Sequence, residues 1–180
     1  MRKLGVLILA LMFSASLAGC TAGKSSIALV NPSRLIQDSA SGKAGIEHLK
    51  KMEATMQEQL QAAQKMIEKS PGDEALRVRI QQEFAGYQQL MSTEQQKVVD
   101  GINNQIKASL ETVRAQKKLE VIFSSETVQS FDAKIDVTSE VLAEMNRTPL
   151  NFPPASITPI ESAVKQKAAA QEKGAPKQNK

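Results

Sequence analysis

Tryptophan is absent from this 180-residue chain, tyrosine, histidine and cysteine occur once each, and aromatics make up 3% of the residues. So little aromatic surface argues against a large globular core, in which Phe, Tyr and Trp carry much of the burial. A single His and a single Cys cannot form a Cys/His zinc cluster, and one thiol cannot close an intrachain disulfide. Glycine (9) and proline (7) are too scarce for a wholly disordered chain. There is no glycine-rich phosphate loop and no nucleophile motif. What the chain does contain is 17 Gln with frequent Ala, Lys and Glu, a composition of long helices. An elongated α-rich protein is expected rather than a compact enzyme, with no cofactor and no metal.

A long apolar run is present only at the start. Met1-Arg2-Lys3 is basic, and Leu4 to Leu17 is an apolar stretch of about 14 residues, short of the roughly 20 needed to span a bilayer but suited to a secretory signal. It closes on Leu17-Ala18-Gly19-Cys20, which resembles the bacterial lipobox. That resemblance implies cleavage after residue 19 and lipidation of Cys20, whose thiol is the group on which a thioether lipid is built. Acyl chains contribute about 0.8 kcal/mol per buried CH₂ to anchoring. Thr21 is not the Asp associated with inner-membrane retention, so the expected location is the periplasmic face of the cell envelope, at the outer membrane. Without Arg2 and Lys3 the 23 basic side chains become 21 against 19 acids. A near-neutral mature chain gives no ground for a nucleic-acid partner.

Beyond a linker over 20–26, hydrophobic patterning divides the mature chain. Ile27, Ala28, Leu29 and Val30 read as a short strand. Asn31-Pro32-Ser33 opens a short helix over 32–40, with Asn as cap and Pro in the first turn, and Ser41-Gly42 interrupts it. Ile46, Leu49, Met52, Met56, Leu60, Ala63 and Ile67 recur in steps of three and four, the signature of one helical face. Ser70-Pro71-Gly72-Asp73 is a reversal signal. A second stripe follows through Leu76, Ile80, Phe84, Tyr87, Met91, Val98, Ile102, Ile106, Leu110 and Val113. Two helices joined by so short a turn form an antiparallel hairpin, about 43–118. The second helix is longer, roughly 67 Å against roughly 40 Å, so its end must run past the start of the first. From Val98 to Val113 the repeat is about 3.75 residues per turn, which is not a strict heptad.

After Lys118 the pattern shortens. Segments 119–123 and 127–131 read as two strands, and Asp136 or Thr138 caps a helix burying Val141, Leu142 and Met145. Pro149, Pro153, Pro154 and Pro159 and an Ala/Lys/Gln-rich end make 147–180 a disordered tail, with a transient helix over 160–172.

This layout resembles the Skp (OmpH-like) periplasmic chaperones over about 27–146. The residues that carry the resemblance are Ile27 to Asn31, Leu119 to Phe123, and Ile135 to Leu142. It implies an α+β, mostly α fold: a helical hairpin, or coiled-coil tentacle, projecting from a small β-body formed by 27–31 and 119–146. It further implies a homotrimer whose hairpins surround a cavity for unfolded outer-membrane proteins. Physics independently asks for an oligomer, because short strands and a lone hairpin leave apolar surface uncovered. The chain departs from the family in being near neutral and in its lipobox.

Met52, Met56, Met66 and Met91, with Phe84 and Tyr87, are the candidate client-contact residues. Methionine is flexible and polarizable, so it can touch many sequences without selecting one. A stripe at helical spacing ordinarily fills the seam between helices, and each of these residues has that alternative role. His48, between Glu47 and Lys50, reads as a solvated surface histidine rather than a general base. The functional expectation is a membrane-anchored, ATP-independent holdase for unfolded outer-membrane or envelope proteins, not an enzyme. A coiled-coil lipoprotein that links or spaces outer membrane and cell wall is the alternative.

Overall fold

The computed structural model describes residues 26–174. The signal (1–19), the lipidation candidate Cys20, nearly all of the 20–26 linker and residues 175–180 lie outside the described residues. Strand β1 (Ile27–Val30) leads into α1 (Pro32–Asp38), α2 (Ala40–Lys69) and α3 (Glu74–Lys117). Strand β2 (Val121–Ser124) and two single 3₁₀ turns (Ser125–Thr127 and Ala133–Ile135) follow, then α4 (Thr138–Met145) and α5 (Ile160–Gly174). The fold is mostly helical, with two long helices packed as a hairpin and a small two-stranded parallel sheet.

Local chemistry accounts for most boundaries. Asn31 Oδ1 accepts from the Arg34 amide at 2.9 Å, and Pro32 occupies the first turn of α1, where no amide partner is needed. The break after α1 lies at Ser39, not at Ser41-Gly42 as the sequence suggests. Ser39 is extended and its hydroxyl accepts from the Gly42 amide at 3.0 Å, so it is the cap that starts α2. Gly42 is needed for close approach instead: a Cβ there would stand 1.7 Å from the Ile36 carbonyl oxygen. At the far end Asp73 Oδ1 accepts from the Leu76 amide at 2.8 Å, starting α3 after the Pro-Gly reversal. Lys118 ends α3 in the left-handed region at φ 56°, and the Leu119 amide then donates to the Arg114 carbonyl at 2.9 Å.

The helices of the hairpin have 30 and 44 residues, roughly 45 Å and 66 Å. As the lengths require, the last turns of α3 pass the start of α2 and enter the base. There β1 pairs with β2 in parallel, Ile27 opposite Val121 through Val30 opposite Ser124. The base core consists of Ala28, Val30, Leu35, Val113, Val137, Val141 and Met145, with Ile106, Leu110, Leu119, Ile122 and Leu142 packed against it. The second expected strand, 127–131, does not form among the described residues. Ser124 instead turns the chain: its carbonyl accepts from the Thr127 hydroxyl at 2.9 Å and its hydroxyl from the Glu126 amide at 3.3 Å. Such local bonds compete directly with a ladder. Asp136 holds the start of α4, accepting from the Thr138 amide at 2.8 Å, although Val137 is the residue at the cap position.

The tail expectation needs the largest correction. Residues 147–174 are ordered and lie along the hairpin, and 160–174 form a helix packed on α2 and α3. Ile160, Ala163 and Val164 are buried in a second core near the turn, with Ala63, Leu76, Ile80 and Tyr87. Composition averages hide this, because one narrow apolar edge in a polar helix is invisible until it has a partner to bury against.

Candidate functional site: the two faces of the hairpin

The pairing of α2 and α3 leaves two apolar faces with different fates. On one face an open groove of about 830 Å³ runs between the helices. Ile46, Leu49, Met56, Leu60, Phe84 and Met91 line it, and Lys50, Glu53, Gln57, Gln88 and Gln95 contribute the polar side chains. Ile46 and Leu60 remain more than two-fifths exposed, unusual for aliphatic residues on a packing stripe. Phe84 meets Tyr87 edge to face, with ring centroids 5.7 Å apart. The groove combines deformable apolar side chains with mostly neutral amides, so it offers contact area without a fixed pattern of charge.

On the other face the chain covers itself. Leaving α4, the segment runs from the base towards the turn: Leu150 lies beside Ser41, Phe152 on His48, and Ile160 beside Gln59. His48 is therefore not a solvated surface histidine, as its sequence neighbours suggest. It is 6% exposed, stacks on Phe152 with centroids 6.0 Å apart, and its Nε2 donates to Glu94 Oε2 at 3.1 Å. Partners from α3 and the returning segment, not the residues beside it in sequence, set its environment. Glu94 also accepts from Lys97 Nζ at 2.6 Å, and Lys97 holds the Glu94 carboxyl below the usual carboxylate range. Burial opposes that shift and His48 adds to it.

The six candidate residues divide between these faces. Met56, Phe84 and Met91 line the open groove, and Met56 and Phe84 also pack against the second core from that side. Met66 is half-buried against the core near the turn. Met52 and Tyr87 are buried, and the Tyr87 hydroxyl donates to the Thr158 carbonyl at 2.6 Å. Burial pushes the Tyr87 phenol pKa up, with the Glu83 carboxylate reinforcing it. Sequence reasoning overlooked Ile46, Leu49 and Leu60 as groove residues, although they sit on the same periodic stripe. It also overlooked Ser41, Gln59 and Gln105, which face the returning segment. No periodicity marks a polar residue whose partner is the main chain of a distant segment.

Among the described residues no group of three or more His, Cys, Asp or Glu side chains is arranged to hold a metal ion. Nor is any described helix long and apolar enough to cross a membrane. In architecture the chain is similar to the crystal structure of a candidate outer membrane chaperone (OmpH-like) from Caulobacter crescentus CB15. The two are 17% identical, the match covers 74% of this chain and 92% of that one, and the TM-score is 0.49. No family model matches the chain, and no curated protein matches it in sequence.

Proposed function

We propose that this protein is a holdase chaperone of the bacterial envelope, which shields unfolded outer-membrane or envelope proteins without ATP. The observation that carries the reading is the open apolar groove along the hairpin, with Met56, Phe84 and Met91 in its wall. An unfolded segment with exposed apolar side chains would bury them there and leave again as it folds into the membrane. The lipobox at Cys20 supports a lipid anchor, which would keep the hairpin on the periplasmic side of the outer membrane. Ile27, Ile36, Phe123 and Phe131 are exposed, and Ile27 and Phe123 lie in a sheet that has two strands among the described residues. A sheet that small is not independently stable in water, and joining copies would cover those side chains. A homotrimer is the assembly proposed.

The test uses the mature chain carrying Cys20→Ser, mixed with an outer-membrane β-barrel protein diluted from urea. Light scattering follows aggregation, and mass photometry gives the number of subunits. Suppression near stoichiometric amounts by a trimer is expected. Replacing Met56, Phe84 and Met91 together by Ser should abolish suppression, with circular dichroism checking that the hairpin, whose second core Met56 and Phe84 also touch, stays helical. A monomer or dimer without suppression overturns the reading and favours a structural lipoprotein, for which co-sedimentation with peptidoglycan is the corresponding assay.

A further inference from the structure

The covered face of the hairpin is held in an unusual way. Among the described residues, four hairpin side chains hydrogen-bond to the main chain of the segment that leaves α4 or of α4's last residue, and a fifth, Glu83, pairs with the Lys167 side chain on α5. Ser41 Oγ accepts from the Leu150 amide at 2.8 Å, and Gln59 Oε1 accepts from the Ile160 amide at 2.8 Å. Tyr87 donates to the Thr158 carbonyl, and Gln105 Nε2 donates to the carbonyls of Met145 and Thr148 at 3.0 and 2.8 Å. Main-chain amides and carbonyls are common to every polypeptide, so these contacts do not depend on which side chains the segment carries. Side-chain contact is concentrated in two places. Phe152 stacks on His48, and Ile160, Ala163 and Val164 dock near the turn. Between them, residues 153–159 are exposed or only half-buried, although Ile157 packs against the second core.

From this we infer that the covered face is a second polypeptide-binding face, whose ligand is an apolar segment of an unfolded chain. Residues 147–170 are its built-in occupant. The segment imitates a ligand: an irregular stretch over 147–159 with four prolines and an aromatic ring, then a helix with one narrow apolar edge. The segment is suited to displacement, because ordering residues 153–159 costs conformational entropy that half-exposed side chains do little to offset. The open groove would take the first contact with a client, and exchange of this segment, a strap over 147–170, for a client segment would enlarge the bound surface. This inference deepens the holdase reading and rests on it, but it is measured without any aggregation assay.

The probe is a fluorescein-labelled peptide of residues 148–174, titrated against the full mature chain carrying Cys20→Ser and followed by anisotropy. In the wild-type chain the site is occupied and binding is weak. Ile160→Asp with Val164→Asp in the same full chain undocks the strap, and probe affinity should rise about tenfold or more. Adding Gln59→Ala, Tyr87→Phe and Gln105→Ala should remove that gain, at about threefold to tenfold per bond lost. Unchanged affinity on undocking overturns the inference, as does a gain that survives loss of Gln59, Tyr87 and Gln105. In case the undocked variant misfolds, hydrogen exchange on the unsubstituted chain gives an independent reading. Excess probe should deprotect the chain's own Leu150 and Ile160 amides, and unchanged protection overturns the inference. Failure of the holdase reading would show differently, as aggregation that no variant suppresses while the probe still displaces the strap.

Discussion

The base and the turn end of this molecule are both closed by a segment that follows the hairpin, yet they are closed in different ways. At the base, β1, α1, the last turns of α3 and α4 interlock. Leu35, Val141 and Met145 are fully buried there. Main-chain bonds tie distant segments together, as when the Val137 amide donates to the Leu29 carbonyl at 2.9 Å. At the turn end a single helix lays one edge on the hairpin, and the bonds that guide it come from hairpin side chains. One apolar stripe thus serves two purposes. Where it meets elements with their own complementary apolar faces it makes a body; where it meets a narrow helix edge it is covered by a few buried side chains, and there the proposed exchange would take place.

The strongest challenge to this contrast is to cut equivalent cavities in the two cores. Leu35→Ala should cost about 3 kcal/mol and lower the urea midpoint of the whole chain, because a fully buried Leu leaves a cavity its neighbours cannot fill. Ile160→Ala should cost about 1–2 kcal/mol and act locally, since undocking α5 caps the loss. Its signature is faster hydrogen exchange across 160–170 with an almost unchanged global midpoint. Equal global midpoint shifts for the two variants would mean a single cooperative core and would erase the distinction.

A gentler change refines the picture of the base. Lys118 holds a left-handed conformation that glycine adopts without penalty. Lys118→Gly should therefore raise stability by about 1 kcal/mol in urea unfolding, provided the cap joining α3 to β2 forms as described. The smallest effect expected is a pH dependence midway along the hairpin. Lys97, above all, holds the Glu94 carboxyl pKa below that of an unfolded chain. Stability from this contact is fully present above the unfolded carboxylate pKa and is lost as pH falls through the depressed folded value. Urea midpoints measured from neutral to acid pH should fall more steeply for the wild type than for Glu94→Gln. Parallel profiles would show that the Lys97–Glu94–His48 contacts contribute nothing to folding.

Much of this architecture is legible in the amino-acid sequence. The strand at 27–30, the short helix opened by Asn31-Pro32, the turn at 70–73 and the unequal hairpin all follow from periodicity and capping residues. The failures share one cause. Segment 127–131 has the apolar content of a strand, but Ser124 spends its hydrogen bonds on a turn. Residues 147–174 read as a polar, proline-rich tail, yet three side chains on one edge of α5 find a partner. His48 looks solvated beside Glu47 and Lys50, but α3 brings Glu94 to it from one side and the returning segment brings Phe152.

The candidate site divides along the same line. Met56, Phe84 and Met91 can be chosen from the sequence because a helix repeats every 3.6 residues, and an apolar stripe marks its own face. That spacing does not say which part of the stripe stays open. Local sequence is enough to specify a long hairpin with apolar residues along it, since hydrogen bonds within each helix and the chemistry of one turn suffice. Leaving one face as a groove and covering the other is a choice made by tertiary contacts alone. It depends on residues about a hundred positions apart, such as Ser41 with Leu150 and Gln59 with Ile160, and no local pattern encodes them.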